Sequence, residues 1–235
     1  DFEIGWVYFD LCRYADAKKH FKDALKGATA PREKRNIRDG LARATYLNGD
    51  HSESLGHYRE LVKEETQAAR AFIAEMMIWY LERATGAKSD DRLTPSASRL
   101  MHQYESLDDE QLKRVSPTAL ARITWVYYVT GLRDVAAGNT TLALDKFNAA
   151  GNSPDDWLAA NAMYEMAKLQ VKDKQYRKAI EGLEYMLFAT KSAEAEVKGA
   201  VLLGECYVAR GHLEHAMNRY QHVINRFPDS PYAEK

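Results

Sequence analysis

Proline and glycine are scarce, at 6 and 13 of 235 residues. With few breakers and no long run of β-branched residues, the chain favours helices over strands. An excess of one charge is missing too: 33 Lys and Arg face 34 Asp and Glu. A nucleic-acid binder carries a basic surplus to displace phosphate counterions, so no nucleic-acid partner is expected. The densest basic stretch, Arg32, Lys34, Arg35, Arg38 and Arg43, is diluted by Glu33 and Asp39 and reads as a solvated helix face. Long hydrophobic runs are absent. The most apolar stretch, Ala71 to Leu81, is interrupted by Glu75 and falls short of the ~20 residues that cross a bilayer, so no membrane insertion is expected. No signal peptide is visible, and the chain opens on Asp1 rather than Met, which predicts a processed or excised piece.

What the sequence does contain is internal repetition. Near the C-terminus, Leu203-Gly204, Tyr207, Gly211, Ala216, Tyr220 and Pro228 make a unit. Gly204 and Ala216 would let two helices approach closely, and Tyr207 and Tyr220 would fill the wider gaps beside that contact. Gly211 accepts the turn, and Pro228 ends the unit. Further copies read Ile4-Gly5, Tyr8, Tyr14, Ala17, Phe21, Ala24; then Leu41-Ala42, Gly49, Ser54, Tyr58. Two later ones read Gly131, Gly138, Ala143, Phe147, Ala150, and Met166-Ala167, Tyr176, Ala179, Leu183. The small residues Ala17, Ser54, Ala143, Ala179 and Ala216 are separated by 37, 89, 36 and 37 positions. Three gaps fit one unit, and the long one hides a divergent copy. Its helices are expected at Gln67–Ala84 and Ser96–Ser106, around a polar loop from Gly86 to Thr94.

Four prolines follow a hydroxyl residue: Thr94-Pro95, Ser116-Pro117, Ser153-Pro154 and Ser230-Pro231. A Ser or Thr cap with Pro at the first helical position predicts a helix start at each. The last pair reads as the opening of a further helix that the sequence cuts off. In a linear array, Cys12 and Cys206 would sit at opposite ends. Stacked helices lie about 8–10 Å apart, so the two would be far beyond the ~7 Å between Cα atoms that a disulfide allows. Two free thiols follow, which points away from an oxidising compartment.

The repeated pattern resembles the tetratricopeptide repeat family over nearly the whole chain. The resemblance implies an all-α, right-handed α-solenoid of about six helix-turn-helix repeats and about 12 helices. Residues 1–66 would hold two repeats, 67–116 the divergent middle one with its loop insertion, and 117–235 three more plus the start of a further helix, all in one continuous solenoid. The segment Tyr220–Ala233 is also similar to repeats of bacterial cell-envelope proteins, among them lipoproteins and periplasmic assembly factors. That implies a periplasmic or cell-envelope location, with the cytoplasm as the alternative.

Chemistry is not visible. His212 and His215 lack the further ligands that zinc requires, and His222 adds none. Gly131 to Gly138 contains no phosphate-loop lysine. Ser52, Ser54 and His57 are neighbours on one helix without a nucleophile's arrangement. The acidic pairs Asp155-Asp156 and Asp90-Asp91 fall at a helix start and in a loop. No enzyme, cofactor or metal is expected. The resemblance implies a scaffold whose concave face, lined by the first helix of each repeat, binds a peptide or a partner protein. That face would carry Trp6, Phe9, Arg43, Tyr46, Trp125, Tyr128, Tyr164 and Lys168. Several of these aromatics could instead pack between units, and for Phe9 and Trp125 core packing is favoured. The lysine and asparagine set that clamps a C-terminal carboxylate in some family members is absent. Two alternatives stand beside the scaffold: a regulatory or targeting segment of a larger enzyme or export machine, and a structural repeat that assembles with copies of itself through uncapped terminal units.

Overall fold

The computed structural model of the chain describes residues 1–65, 67–88, 92–112 and 114–234. The described residues are helical and contain no strand. The elements are α1 (Phe2–Asp10), α2 (Tyr14–Gly27), α3 (Pro31–Leu47), α4 (His51–Glu64), α5 (Ala68–Ala84), α6 (Pro95–Glu105), α7 (Asp109–Leu112), α8 (Pro117–Ala136), α9 (Thr140–Ala150), α10 (Asp156–Lys172), α11 (Tyr176–Ala189), α12 (Ala193–Ala209) and α13 (Leu213–Arg226). Apart from the single turn α7, these are the twelve helices expected of an all-α helical repeat array. Consecutive helices pack in antiparallel pairs, α1 on α2, α3 on α4, α8 on α9, α10 on α11 and α12 on α13, and each pair stacks on its neighbour.

The repeat signal has a steric cause. A Cβ added to Gly5 would lie 2.6 Å from the Phe21 ring, one on Gly131 2.8 Å from Phe147, and one on Gly204 2.6 Å from Tyr220. Each glycine therefore seats the aromatic of the second helix directly on its backbone. Tyr220 does not fill a gap beside Gly204, as the spacing suggested; it lies on it. Phe21 is also clasped from the next unit, where a Cβ on Gly40 would approach to 2.8 Å. The small residues Ala17, Ser54, Ala143, Ala179 and Ala216 are all buried. The turn after the first helix of each unit places one residue in the left-handed region: Gly49, Gly86, Gly138 and Gly211, but Cys12 and Lys174 in the first and fifth units, both at φ 60°.

The capped starts at Thr94-Pro95 and Ser116-Pro117 form as predicted, with Thr94 Oγ1 accepting from Ala97 N and Ser116 Oγ from Ala119 N, both at 3.3 Å. Ser153-Pro154 does not start α10. Asp155 caps that helix instead, its Oδ1 accepting from Leu158 N at 3.2 Å, because an ionised carboxylate suits the positive helix end. At Ser230 there is a turn, closed by Ala233 N donating to Ser230 O at 2.9 Å. The pair expected at Gln67–Ala84 and Ser96–Ser106 is present as α5 and α6, yet α5 packs chiefly on α4 and α8, and α6 on α8. Part of the loop between them, including Asp90-Asp91, lies outside the described residues.

The array is not linear. It curls until its first unit meets its last. Tyr14 Oη donates to Glu194 Oε1 at 2.8 Å, and Cys12 Sγ lies 3.7 Å from the Glu194 carbonyl. Leu11, Cys12, Val197, Ala200, Phe227 and Tyr232 form one apolar cluster there. The expectation that the cysteines sit at opposite ends is thus wrong. Cys12 rests on the start of the helix that carries Cys206, whose position twelve residues along is about 18 Å away at 1.5 Å per residue. Both thiols are buried and free.

Candidate protein-binding face

The first helices of the units touch one another along the array, α1 on α3, α8 on α10 and α10 on α12, and α1 also meets α12. Eight of their side chains were singled out by sequence, and they divide by depth. Phe9 is buried in the first unit, edge-on to Trp6 at 5.2 Å and to Tyr14 at 5.7 Å. Trp6 is half-buried and also meets Phe21, at 5.2 Å. Trp125 and Tyr128 are buried and lie edge-on to each other at 5.9 Å. These four work mainly as packing. Arg43, Tyr46 and Tyr164 are half-buried, and Lys168 is exposed.

The centre of the face is a residue that the repeat pattern did not flag. Trp157, in the first turn of α10, stacks on Trp125 with centroids 5.8 Å apart and planes 17° from parallel. The Arg43 guanidinium lies over the Trp157 ring, 5.2 Å from its centroid. Cation, indole and indole thus form a ladder from α3 through α10 to α8, an attraction strengthened where water is excluded. Trp157 Nε1 is buried with no acceptor. Arg43 pairs with Asp39 at 3.1 Å. Burial works against its charge, but Asp39 and then Asp155 outweigh that and raise its pKa. Tyr46 stacks on His51 at 5.5 Å and meets Tyr80 edge-on at 6.1 Å. Burial, with Tyr128 and Tyr80 nearby, pushes its hydroxyl well above the usual tyrosine range.

Towards the C-terminus the face becomes a buried polar network. Lys198 Nζ donates to Asn161 Oδ1 at 3.0 Å and is in close contact with Glu194 Oε1. Asn161 Nδ2 donates in turn to the Trp157 carbonyl at 2.9 Å. The Tyr164 ring lies between two ammonium groups, Lys198 at 5.0 Å and Lys168 at 5.6 Å. Glu194-Lys198 is the i, i+4 pairing that on an isolated helix reads as a surface ion pair. Here both members are buried, and only the curl of the array reveals it. The basic stretch of α3 is likewise drawn into pairs: Arg38 forms two 2.9 Å bonds with Glu64.

The Ser54 hydroxyl is buried and donates to the Ala42 carbonyl at 2.9 Å, so it ties its helix pair together. Among the described residues no group of three or more His, Cys, Asp or Glu converges as metal ligands would. No helix among them is long and apolar enough to cross a membrane.

The geometry is that of an array of helical hairpins, the architecture of a repeat protein. The comparisons narrow this for one unit. Residues 200–230 match the tetratricopeptide repeat family, so α12 and α13 form a tetratricopeptide repeat, a module of protein–protein interaction in general. No curated protein matches the chain.

Proposed function

We propose that this chain is a scaffold that binds a peptide or a segment of a partner protein along the inner face of its curl. The observation that carries the reading is the ladder of Arg43, Trp157 and Trp125, with an unpartnered indole N–H at its middle rung. Arg and aromatic side chains are the types that dominate binding energy at protein interfaces. Arg43, Tyr46, Tyr164 and Lys168 keep surface and would read the partner, while Trp125 and Tyr128 pack against Trp157, and Phe9 and Trp6 pack in the first unit. The test is capture of partners by the intact array and by a version with Arg43, Tyr46, Tyr164 and Lys168 changed to Ala. Loss of the captured proteins supports the assignment; survival of every one of them sinks it.

The similarity of Tyr220–Ala233 to cell-envelope repeats supports a periplasmic or cell-envelope setting for that scaffold. A second reading draws on α13, where Leu213, Met217 and Ile224 are exposed apolar residues. Copies of the chain would associate through that helix, and light scattering over a concentration series tests it: a constant monomer mass excludes self-assembly.

A further inference from the structure

We propose that the turn Leu11–Tyr14 is a built-in occupant of the inner face of α12, and that a peptide presenting an apolar residue followed three positions later by tyrosine displaces it. The inference rests on the reading of the inner face as the binding surface. Repeats in an array touch their sequence neighbours, and curvature between distant units is compliant unless something fixes it. Here a short segment fixes it across 180 positions, by Tyr14 Oη on Glu194 Oε1 at 2.8 Å. Leu11 and Cys12 fill the apolar cluster beside that bond, with Val197, Ala200 and Phe227.

The contact has the character of an interface held in reserve. Its central carboxylate is buried with only one oxygen satisfied: Glu194 Oε1 takes Tyr14 and Lys198, while Oε2 has no hydrogen-bond partner. The Glu194–Lys198 pair lies within α12, so what crosses to the first unit is the Tyr14 bond and the apolar cluster. The turn itself holds Cys12 in the left-handed region, at φ 60°, a conformation disfavoured for any residue with a Cβ. Facing groups from the packed elements are Asp10 on α1 and Glu194 on α12, two carboxylates near one another; burial first and Glu194 second raise the pKa of Asp10. A bound peptide would restore the tyrosine–carboxylate bond without the strained turn.

Cys12 reports on the latch directly, and Cys206, buried in the last repeat, controls for global unfolding. Tyr14→Phe removes one hydrogen bond to a charged acceptor and keeps the ring. It should raise the open population, and with it the alkylation rate of Cys12, by about 10- to 100-fold, with Cys206 unchanged. A chain with Leu11→Asp and Tyr14→Ala vacates the site. It should then bind a synthetic peptide of the Asp10–Tyr14 sequence with serine in place of Cys12, read by fluorescence anisotropy. A version of that peptide ending in phenylalanine should bind about tenfold more weakly. An unchanged Cys12 rate in Tyr14→Phe, or a Cys12 rate that rises together with Cys206, overturns the latch. Helical, opened chain that ignores the peptide, or binds both peptides equally, overturns the displaced-occupant assignment. The four-alanine test above leaves Tyr14 and Glu194 intact, so either idea can fail alone.

Discussion

Gly131→Ala is the sharpest test of the repeat geometry, because two effects of known size oppose each other there. Gly131 lies within α8, where alanine is favoured over glycine by about 1 kcal/mol through helix propensity alone. Against this, the new Cβ would stand 2.8 Å from Cε1 of the Phe147 ring, and that ring is wholly buried. Overpacking of this kind costs about 1–3 kcal/mol. The clash should win by about 1 kcal/mol, lowering the melting temperature by about 2–4 °C for a chain of this size. Gly56 supplies the control: a Cβ there meets nothing within 4 Å. Gly56→Ala should therefore raise the melting temperature by a similar amount. The register makes a stronger demand. In the following unit the equivalent positions carry Ala167 and Leu183, both buried. Phe147→Leu alone opens a cavity and costs about 1–2 kcal/mol. Combined with Gly131→Ala it recreates the pair found next door, so the double variant should be more stable than the sum of the singles by about 1 kcal/mol. Thermal and urea unfolding followed by circular dichroism give all four corners. Additive effects, or a stabilising Gly131→Ala, would refute the pairing of these two positions.

Lys174 occupies a turn position that four other units give to glycine, at φ 60°. Lys174→Gly should stabilise the chain by about 1 kcal/mol, and a lower melting temperature would contradict the left-handed assignment. Glu53 is held at about 2 by the Lys22 and Lys18 ammonium groups. Its pKa is depressed on folding, so its contribution is present above the unfolded carboxyl range near 4.3 and is lost as pH falls towards about 2. Melting temperatures taken from pH 6 down to pH 2 should fall less in Lys22→Met than in the parent across about pH 4.5 to 2, with a small difference because these side chains are partly solvated. Equal slopes would remove the ion pair from the acid response.

The parts of this fold that were legible in the sequence are those fixed within one unit. A glycine and an aromatic on consecutive helices, a turn glycine between them and a small residue on the second helix are local constraints, each imposed by backbone approach or by φ. They repeat because each unit solves the same packing problem. The exceptions are instructive. Cys12 and Lys174 fill a turn position where glycine would be easier, so the turn signal fades in those two units while the turn remains. Ser153-Pro154 looked like a cap, but the carboxylate of Asp155 competes for the same helix end and takes it. The tetratricopeptide match at residues 200–230 falls on a unit whose glycine, turn and aromatic signals are all intact, as they also are in the unit of Gly131, Gly138 and Phe147.

The face itself was less legible, for a reason of scale. The eight named side chains do lie on first helices, as the period implied. How deeply each is buried depends on the curl, which accumulates from small rotations between successive units. No pair of neighbouring residues encodes that sum. Trp157 escaped notice because it stands outside the repeated positions; its meaning comes from Arg43 on α3 and Trp125 on α8, both distant in sequence. Glu194 and Lys198 escaped notice because their spacing fits an exposed pair equally well. The distinction between a groove open to a partner and one filled by its own chain therefore rests on a few contacts across the axis. Tyr14 on Glu194 and Arg43 on Trp157 are two such contacts, and a change at either should alter access to the inner face while leaving the helical hairpins intact.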